Sequence, residues 1–235
     1  MKNRVKITTL ERILDIIYPC YCKGCRKIGE VFCACCIFNN MAKNPPFSTT
    51  KDKDFKRIVV SGMRVDILKE LVSEYKFQAR RHYAKALALY LFLATKRFFP
   101  DFSGISKEKY VLVPLPTIQK HIRERGFDHI KRLTEEFSAI SGVPVISILK
   151  RRKNTIQVGS DAKTRLKQAK EAYLIDSKAV FDKKSHFILV DDVWTTGATM
   201  RAARGVLARG LRRLGAKKIK ISAILLVKNS GRKFS

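Results

Sequence analysis

The 235-residue sequence contains no long hydrophobic run. Its longest apolar stretch covers residues 86–94 and is bounded by Lys85 and Lys96, whereas a membrane-spanning helix needs about 20 apolar residues. The first 18 residues carry charges throughout and lack the apolar run and cleavage site of a secretory signal. These absences predict a cytoplasmic protein without a transmembrane segment, in a compartment where thiols stay reduced.

Acidic residues are also scarce, since 20 Asp and Glu stand against 49 Lys and Arg, which gives a formal net charge of +29. Hydrophobic residues nevertheless make up 46% of the sequence, with 14 Phe and 7 Tyr. This composition excludes a disordered chain and predicts a buried core. The charge excess favours a densely negative partner: nucleic acid, a phosphorylated metabolite or an anionic membrane.

Cysteine is absent beyond Cys36, and all six cysteines fall between Cys20 and Cys36. Two C-x2-C pairs, seven residues apart, supply four thiolates that can close a tetrahedral shell around one structural zinc ion. Gly24 lies inside the first pair, where a tight turn favours a residue without Cβ. Disulfides or free thiols are the alternatives, and Cys20 and Cys35 leave the register open, with a Cys20/Cys25 pairing as the second choice. The predicted zinc ligands are Cys22, Cys25, Cys33 and Cys36.

Apolar runs alternate with stretches of helical periodicity through most of the chain, and this alternation predicts an α/β fold with a mostly parallel sheet flanked by helices. The polar segments 39–56 and 150–160 are predicted to be loops. The predicted strands cover residues 55–61, 110–115, 143–149, 186–190 and 219–227. The predicted helices cover residues 65–77, 81–98, 128–140, 162–171 and 198–214.

The most distinctive stretch begins where four apolar residues run into Asp191 and Asp192. Two carboxylates at the end of a strand can accept hydrogen bonds from neighbouring sugar hydroxyls, and the following helix N-terminus suits a phosphate. The alternative is an ordinary junction with capping residues, but caps do not explain two acids and three Thr around Gly197. The spacing therefore predicts a site for a ribose that bears a 5′-phosphate. The predicted ligand-binding residues are Asp191, Asp192, Thr195, Thr196, Gly197, Ala198 and Thr199, with Asp191 and Asp192 as the catalytic candidates.

These residues resemble the phosphoribosyltransferase fingerprint. The resemblance implies that the acidic pair contacts the ribose hydroxyls of phosphoribosyl pyrophosphate and that the loop from Thr195 to Thr199 binds its 5′-phosphate. It also implies that Mg²⁺ accompanies the pyrophosphate. In the purine branch of that superfamily an Asp lies two residues before the Gly, whereas Thr195 occupies that place here, which disfavours a purine-salvage mechanism that uses this acid.

A wider set of motifs, from about residue 10 to residue 227, resembles the ComF/ComFC family of competence proteins. These are phosphoribosyltransferase-like proteins needed for natural uptake of DNA. Where the family has an Arg-Gly-Phe-Asn-Gln run, this chain departs from it at Asp128 and His129. The motifs, in order, are the four-Cys module, Tyr75-Lys76-Phe77, Pro114-Leu115-Pro116, Arg125-Gly126-Phe127, Thr155-Ile156-Gln157 and Arg165.

The resemblance implies a phosphoribosyltransferase-like fold with a small N-terminal zinc-ribbon-like module. We expect a zinc module and linker over residues 1–50, a helical connecting segment over 51–109, and the phosphoribosyltransferase-like domain over 110–235. Lys76, Arg123 and Arg125 are the candidates for the pyrophosphate side of the ligand.

Basic residues are unevenly spread, because residues 193–235 contain eleven Lys or Arg and no acid. A solvated surface is the alternative, but an excess of this size favours a nucleic-acid partner that neutralises it through phosphate contacts. The candidates for single-stranded DNA binding are Arg151, Arg152, Lys153, Arg201 and Arg204.

Three interpretations of the function remain open from the sequence. The first is a role in DNA uptake, in which the chain binds phosphoribosyl pyrophosphate and single-stranded DNA, and works with other competence or DNA-translocation proteins. The second is an active Mg²⁺-dependent phosphoribosyltransferase whose acceptor the sequence does not identify. A zinc-stabilised regulator that only senses the ligand is a third interpretation.

Overall fold

A computed structural model describes residues 20–78, 80–151, 172–176, 181–182 and 185–229. The predicted alternation of strands and helices is confirmed in these residues. The strands are β1 (Phe47–Thr49), β2 (Ile58–Met63), β3 (Tyr110–Pro114), β4 (Leu149–Arg151), β5 (Tyr173–Ile175), β6 (His186–Trp194) and β7 (Lys220–Lys228). The helices are α1 (Ala34–Lys43), α2 (Asp66–Phe77), α3 (Tyr83–Phe98), α4 (Gln119–Arg125), α5 (His129–Ser141) and α6 (Ala198–Arg213).

Five strands form one sheet in the order β1-β2-β7-β6-β3. The pairs β2/β7, β7/β6 and β6/β3 are parallel, and β1 adds to β2 in the antiparallel sense. Strands β4 and β5 form a separate antiparallel pair. Because the four parallel strands run the same way, their carboxyl ends lie along one edge of the sheet, which we call the carboxyl edge.

Both faces of the sheet are covered, as expected for parallel strands built from continuous apolar runs. Ile188 and Val190 of β6 belong to the core that includes α2, α3, α5 and the cysteine module. Phe187 and Leu189 belong to the opposite core, which includes α6 and Tyr173 of β5. Strand β6 therefore lies between two apolar layers, and side chains at its carboxyl end can reach elements from either layer.

Two helices begin at the carboxyl edge, α5 after a side-chain cap and α6 after a left-handed glycine. Asp128 caps α5 by accepting hydrogen bonds from the amides of Ile130 and Lys131. Gly197 precedes α6 in the left-handed conformation, with φ of 76°. A Cβ at Gly197 would lie 2.3 Å from the ring of Trp194, so both the backbone angle and the available space require glycine.

Several predicted boundaries were wrong. The supposed loop over residues 39–56 contains the end of α1 and all of β1, because backbone pairing with β2 and burial of Ile37 outweigh the polar composition. The predicted strand over 143–149 contains only a bridge between Val145 and Leu112 and, at Leu149, the first residue of β4, since Pro144 has no N–H to donate to a ladder. Helix α4 was not predicted.

The predicted helix over 162–171 and the motif residues Thr155, Gln157 and Arg165 lie outside the described residues. The three-part division of the chain stays a prediction. Within the predicted connecting segment 51–109, strand β2 pairs with β7 inside the sheet, so this segment contributes to the sheet as well as to the helical layer.

Candidate functional site

The acidic pair lies at the carboxyl edge, at the point where β6 extends past β3. Pro114, the last residue of β3, pairs with Val190, while β6 continues to Trp194 alongside β7. The chain after β3 turns away, although the Leu115 amide still donates to the Val190 carbonyl at 3.0 Å. Asp191 and Asp192 therefore border the gap that opens between the ends of two parallel strands, where open α/β sheets bind ligands.

Asp192 is buried, with 4% of its surface exposed, and it faces two helices. Its Oδ2 atom lies 2.8 Å from Nζ of Lys76 on α2 and 3.1 Å from Nε2 of His129 on α5. Burial alone would raise the pKa of Asp192, but the His129 hydrogen bond and the Lys76 charge lower it well below its usual range. The structure therefore holds Asp192 as a carboxylate.

Asp191 has a different environment. It is partly exposed, and its Oδ1 atom accepts a hydrogen bond from the Asp192 amide at 2.9 Å. Burial, followed by the adjacent charge of Asp192, raises the pKa of Asp191 to about 7, and Lys76 and Arg151 offset part of this rise. The pair thus combines one ionised carboxylate with one that can carry a proton near neutral pH.

The turn after β6 presents hydroxyl groups to solvent. Thr195, Thr196 and Thr199 are exposed, and Oγ1 of Thr196 accepts a 3.4 Å hydrogen bond from the Ala198 amide at the start of α6. The guanidinium of Arg201 packs 5.5 Å from the Trp194 ring centroid and donates a 3.1 Å hydrogen bond to the Thr196 carbonyl. This arrangement holds the turn from one side and leaves its hydroxyls accessible.

Two of the three pyrophosphate-side candidates lie close to the acidic pair. Lys76 contacts Asp192 directly, and its side chain is 25% exposed. Arg125 is buried, lies 3.1 Å from Nδ1 of His129 and packs 5.5 Å from the Phe77 ring centroid. Arg123 is exposed on α4, and no contact places it next to the carboxylates in the described residues. The structure therefore brings together Lys76, Arg125 and Asp192, but not Arg123.

His129 and Tyr75 are part of this site although the sequence alone gave neither a role in it. The Tyr75 hydroxyl donates to the His129 carbonyl at 2.6 Å, and the two rings meet edge to face. Both residues belong to motifs identified in the sequence, the Tyr75-Lys76-Phe77 run and the run that begins at Arg125. The sequence does not show that these two motifs lie next to each other in the fold, and for that reason it did not place Tyr75 and His129 in the site.

The candidate DNA-binding residues are partly engaged inside the protein. Arg201 lies 2.9 Å from Asp52, and Arg204 lies 3.8 Å from Asp54. Arg151 packs 5.5 Å from the Tyr173 ring centroid and approaches the Pro116 carbonyl at 3.5 Å. Arg152 and Lys153 lie outside the described residues.

The four predicted zinc ligands converge. The Sγ atoms of Cys22, Cys25, Cys33 and Cys36 all lie within 4.8 Å of one another, so the cluster could hold one metal ion. Of the two remaining cysteines, Cys35 is exposed and accepts a 3.7 Å hydrogen bond from Nδ2 of the Asn39 side chain. Four converging thiols fit a closed tetrahedral zinc site of the structural kind.

Gly24 has a different role from the predicted one. The left-handed residues of this turn are Arg26 and Gly29, with φ of 64° and 105°. A Cβ on Gly24 would lie 2.6 Å from Sγ of Cys36. Gly24 is therefore needed because the two cysteine pairs approach closely, and any side chain there would push Cys36 out of the cluster.

The cysteine module is attached to the helix that carries Lys76. Nζ of Lys23, inside the first cysteine pair, lies 2.7 Å from Glu70 and 2.6 Å from Glu74, both on α2. The Tyr83 hydroxyl donates to the other oxygen of Glu74 at 2.6 Å. The module thus contacts α2 at Glu70 and at Glu74, which lies two residues before Lys76.

None of the helices in the described residues is both long enough and apolar enough to cross a membrane.

Comparison with known proteins identifies relatives of one kind, although no family model matches the chain. Competence protein F of Haemophilus influenzae is 29% identical over 209 residues, which cover 85% of this chain and 87% of that protein. Competence protein ComFC of Streptococcus pneumoniae is 24% identical over 219 residues, or 88% of this chain and 87% of that protein. ComFC of Bacillus subtilis is 30% identical over 152 residues, or 62% of this chain and 55% of that protein. The alignments cover most of the chain, and the three proteins named competence protein F or ComFC support its assignment to the ComF/ComFC family.

Proposed function

We propose that this protein acts in competence, the natural uptake of DNA, and that it binds phosphoribosyl pyrophosphate at the carboxyl edge of β6. The names of its relatives support the first part. The observation that carries the second part is the pair Asp191 and Asp192 at the strand end, followed directly by the Gly197 turn into α6. A cluster of reduced cysteine ligands favours the cytoplasm as the compartment.

The ribose and its 5′-phosphate would occupy the gap beside β6. Asp191 is the partly exposed carboxylate that would accept hydrogen bonds from the ribose hydroxyls. Asp192 would lie next to it as a buried carboxylate that stays ionised. The exposed hydroxyls of Thr195, Thr196 and Thr199 border the first amides of α6, of which the Ala198 amide donates to Oγ1 of Thr196. N–H groups, hydroxyls and the positive end of a helix dipole together suit a phosphate.

The pyrophosphate would meet Lys76 and Arg125, which approach the pair from α2 and α4. The four cysteines are the one group of three or more potential metal-ligand side chains in the described residues, so the carboxyl edge offers no such cage for Mg²⁺. Asp191 is the partly exposed carboxylate that could complete the shell of a Mg²⁺ ion held mainly by ligand oxygens. When bound, the ion would neutralise the pyrophosphate.

A phosphoribosyltransferase is the second candidate function, and the ionised state of Asp192 favours it. Breaking the bond between ribose C1 and pyrophosphate builds positive charge on the sugar ring. A buried carboxylate beneath the ring would stabilise that charge, and the cations on the opposite side would receive the departing pyrophosphate. The acceptor would then form the new bond to C1.

Single-stranded DNA is the proposed partner of the basic surface. Arg201 and Arg204 have acidic partners in the fold, but three arginines near the end of α6 are exposed: Arg209, Arg212 and Arg213. Together with the candidates Arg151, Arg152 and Lys153, these three arginines would contact phosphates along the single-stranded DNA. A net charge of +29 supports such a partner, because DNA phosphates would relieve the repulsion among the cations.

Calorimetric titration with phosphoribosyl pyrophosphate and Mg²⁺ tests the ligand. We expect saturable binding to the wild-type protein and none to the double variant D191A/D192A. The control D101A/E124A removes two exposed acids and should bind like wild type. Retained affinity in D191A/D192A would place the ligand elsewhere. Pyrophosphate release in the presence of pooled cell metabolites would favour the transferase, whereas binding without release would favour the DNA-handling role.

Salt-dependent binding of labelled single-stranded DNA tests the basic surface. Each phosphate contact contributes about 0.7 to the slope of log affinity against log salt. The variant R209A/R212A/R213A should therefore lower that slope by roughly 2. The control K43A/K69A/K107A removes the same charge from exposed sites elsewhere and should leave the slope nearly unchanged. Equal losses in both variants would mean that net charge alone, and no particular surface, binds DNA.

A further inference from the structure

We propose that His129 is a positioning residue of the phosphoribosyl site, in which a neutral imidazole protonated on Nε2 holds the Asp192 carboxylate and links it to Arg125. The part of this inference that concerns ligand affinity rests on the proposed function. The part that concerns the protonation state of the ring rests on contacts within the protein alone.

The two neighbours of the ring determine where its proton lies. Nδ1 of His129 lies 3.1 Å from Nη1 of Arg125, and a guanidinium can only donate hydrogen bonds. Nδ1 must therefore accept, which places the single ring proton on Nε2. That nitrogen lies 3.1 Å from Oδ2 of Asp192, and so it donates to the carboxylate. Both hydrogen bonds are satisfied by one tautomer.

The burial of the ring makes these donor and acceptor roles specific. His129 and Arg125 are both buried, so a donor at Nδ1 would face the guanidinium N–H at 3.1 Å without an acceptor. Lys76 contacts the same carboxylate oxygen as Nε2. Two other polar groups near the ring already have hydrogen-bond partners. The Tyr75 hydroxyl donates to the His129 carbonyl. The Asp128 carboxylate accepts from the first amides of α5 and from the Thr117 hydroxyl.

The two side chains that contact Oδ2 of Asp192, Lys76 and His129, differ in how freely they can move. Lys76 is partly exposed on a flexible side chain, whereas the His129 side chain is 5% exposed and its carbonyl is fixed by Tyr75. A pyrophosphate would attract Lys76 away from the carboxylate. His129 would then remain as the donor that keeps Asp192 ionised and oriented, while its other nitrogen keeps Arg125 beside the ligand.

Substitutions at His129 separate this role from simple packing. The amide of H129Q can donate to Asp192 and accept from Arg125, so it should bind phosphoribosyl pyrophosphate with Mg²⁺ within about threefold of wild type. The variant H129L fills similar space without either hydrogen bond and should lose roughly 10- to 100-fold in affinity, the usual effect of losing a hydrogen bond to a charged group. H121Q, at the exposed histidine that pairs with Glu124, should behave like wild type. Equal affinity of H129L and wild type would overturn the positioning role.

Nitrogen-15 NMR of the free wild-type protein provides a second readout, which does not depend on any ligand or on the folding of H129L. We expect a non-protonated Nδ1 and a protonated Nε2 at neutral pH. Protonated Nδ1 would overturn the inference whatever the ligand does. If wild type shows the expected tautomer but does not bind phosphoribosyl pyrophosphate, the proposed function fails and the assignment of the ring stands.

Discussion

Replacing Asp191 with Asn should stabilise the free protein at pH 8. Asp191 sits beside the ionised Asp192, and Lys76 and His129 direct their contacts to Asp192 rather than to Asp191. Burial and the neighbouring negative charge raise the pKa of Asp191 to about 7 from 3.8. The ionised form of Asp191 is therefore destabilised in the folded protein. Asn removes the charge while keeping the shape of the side chain and an acceptor for the Asp192 amide.

The sign and the pH window follow from the raised pKa. A group whose pKa is higher in the folded state contributes stability that is fully present below its unfolded pKa, here 3.8, and is lost as pH rises through about 7. The advantage of D191N should therefore be complete above pH 7 and shrink as pH falls toward 4. At about 1.4 kcal/mol for each pKa unit, and with the titration shared by the pair, we expect ~1–3 kcal/mol at pH 8.

Thermal unfolding at pH 8 and pH 5 measures this effect, with about 2–4 °C expected for each kcal/mol in a chain of this size. The matched variant D192N should move in the opposite direction, by ~1–3 kcal/mol, since it weakens the contacts with Lys76 and His129. D101N, at an exposed acid, is the neutral control. A lower melting temperature for D191N at pH 8 would refute the assignment of the uncompensated charge to Asp191.

Three further predictions concern the rest of the fold. Natively purified protein should contain about one zinc per chain by elemental analysis, and C33S should lose the metal while C35S keeps it; equal metal content in both variants would contradict the four-cysteine site. G197A should lower the free energy of unfolding by ~1–3 kcal/mol in urea, whereas G205A, in the interior of α6 with its nearest neighbour at 3.4 Å, should raise it by up to ~1 kcal/mol; similar effects would contradict the special role of the turn. Burial lowers the pKa of His186 to about 4, so wild type should lose stability as pH falls from 6.5 to 4, and H186Q should show a flatter profile in urea titrations; parallel profiles would exclude His186 as the cause.

The parts of the fold that depend on local patterns were predictable from the sequence. The strand β6 follows from an uninterrupted apolar run, and α5 from its periodicity together with the Gly142 that ends it. The choice of four cysteines among six also agrees with the structure, because the C-x2-C spacing allows two thiols to reach one ion. Each of these features is encoded within about fifteen consecutive residues.

The contacts that define the candidate site were not predictable in the same way. Lys76, His129 and Asp192 come from α2, α5 and β6, so their meeting depends on how two helices cross one face of the sheet. Strand β1 was missed for a related reason, since three residues of mixed polarity form a strand only because β2 is already in place beside them. The sequence pointed to the motifs but could not supply the distances between them.

The charged contacts near the carboxyl edge connect the cysteine module to the candidate site through α2. A buried carboxylate such as Asp192 stays ionised only if its cationic and hydrogen-bonding partners are held in place. One of those partners, Lys76, projects from α2, and the module is attached to α2 through the ion pairs of Lys23 with Glu70 and Glu74. A metal ion bound by the four cysteines would therefore stabilise the module and, through α2, limit the positions that Lys76 can take. Loss of the metal should in consequence disturb the acidic pair, even though no cysteine among the described residues contacts it.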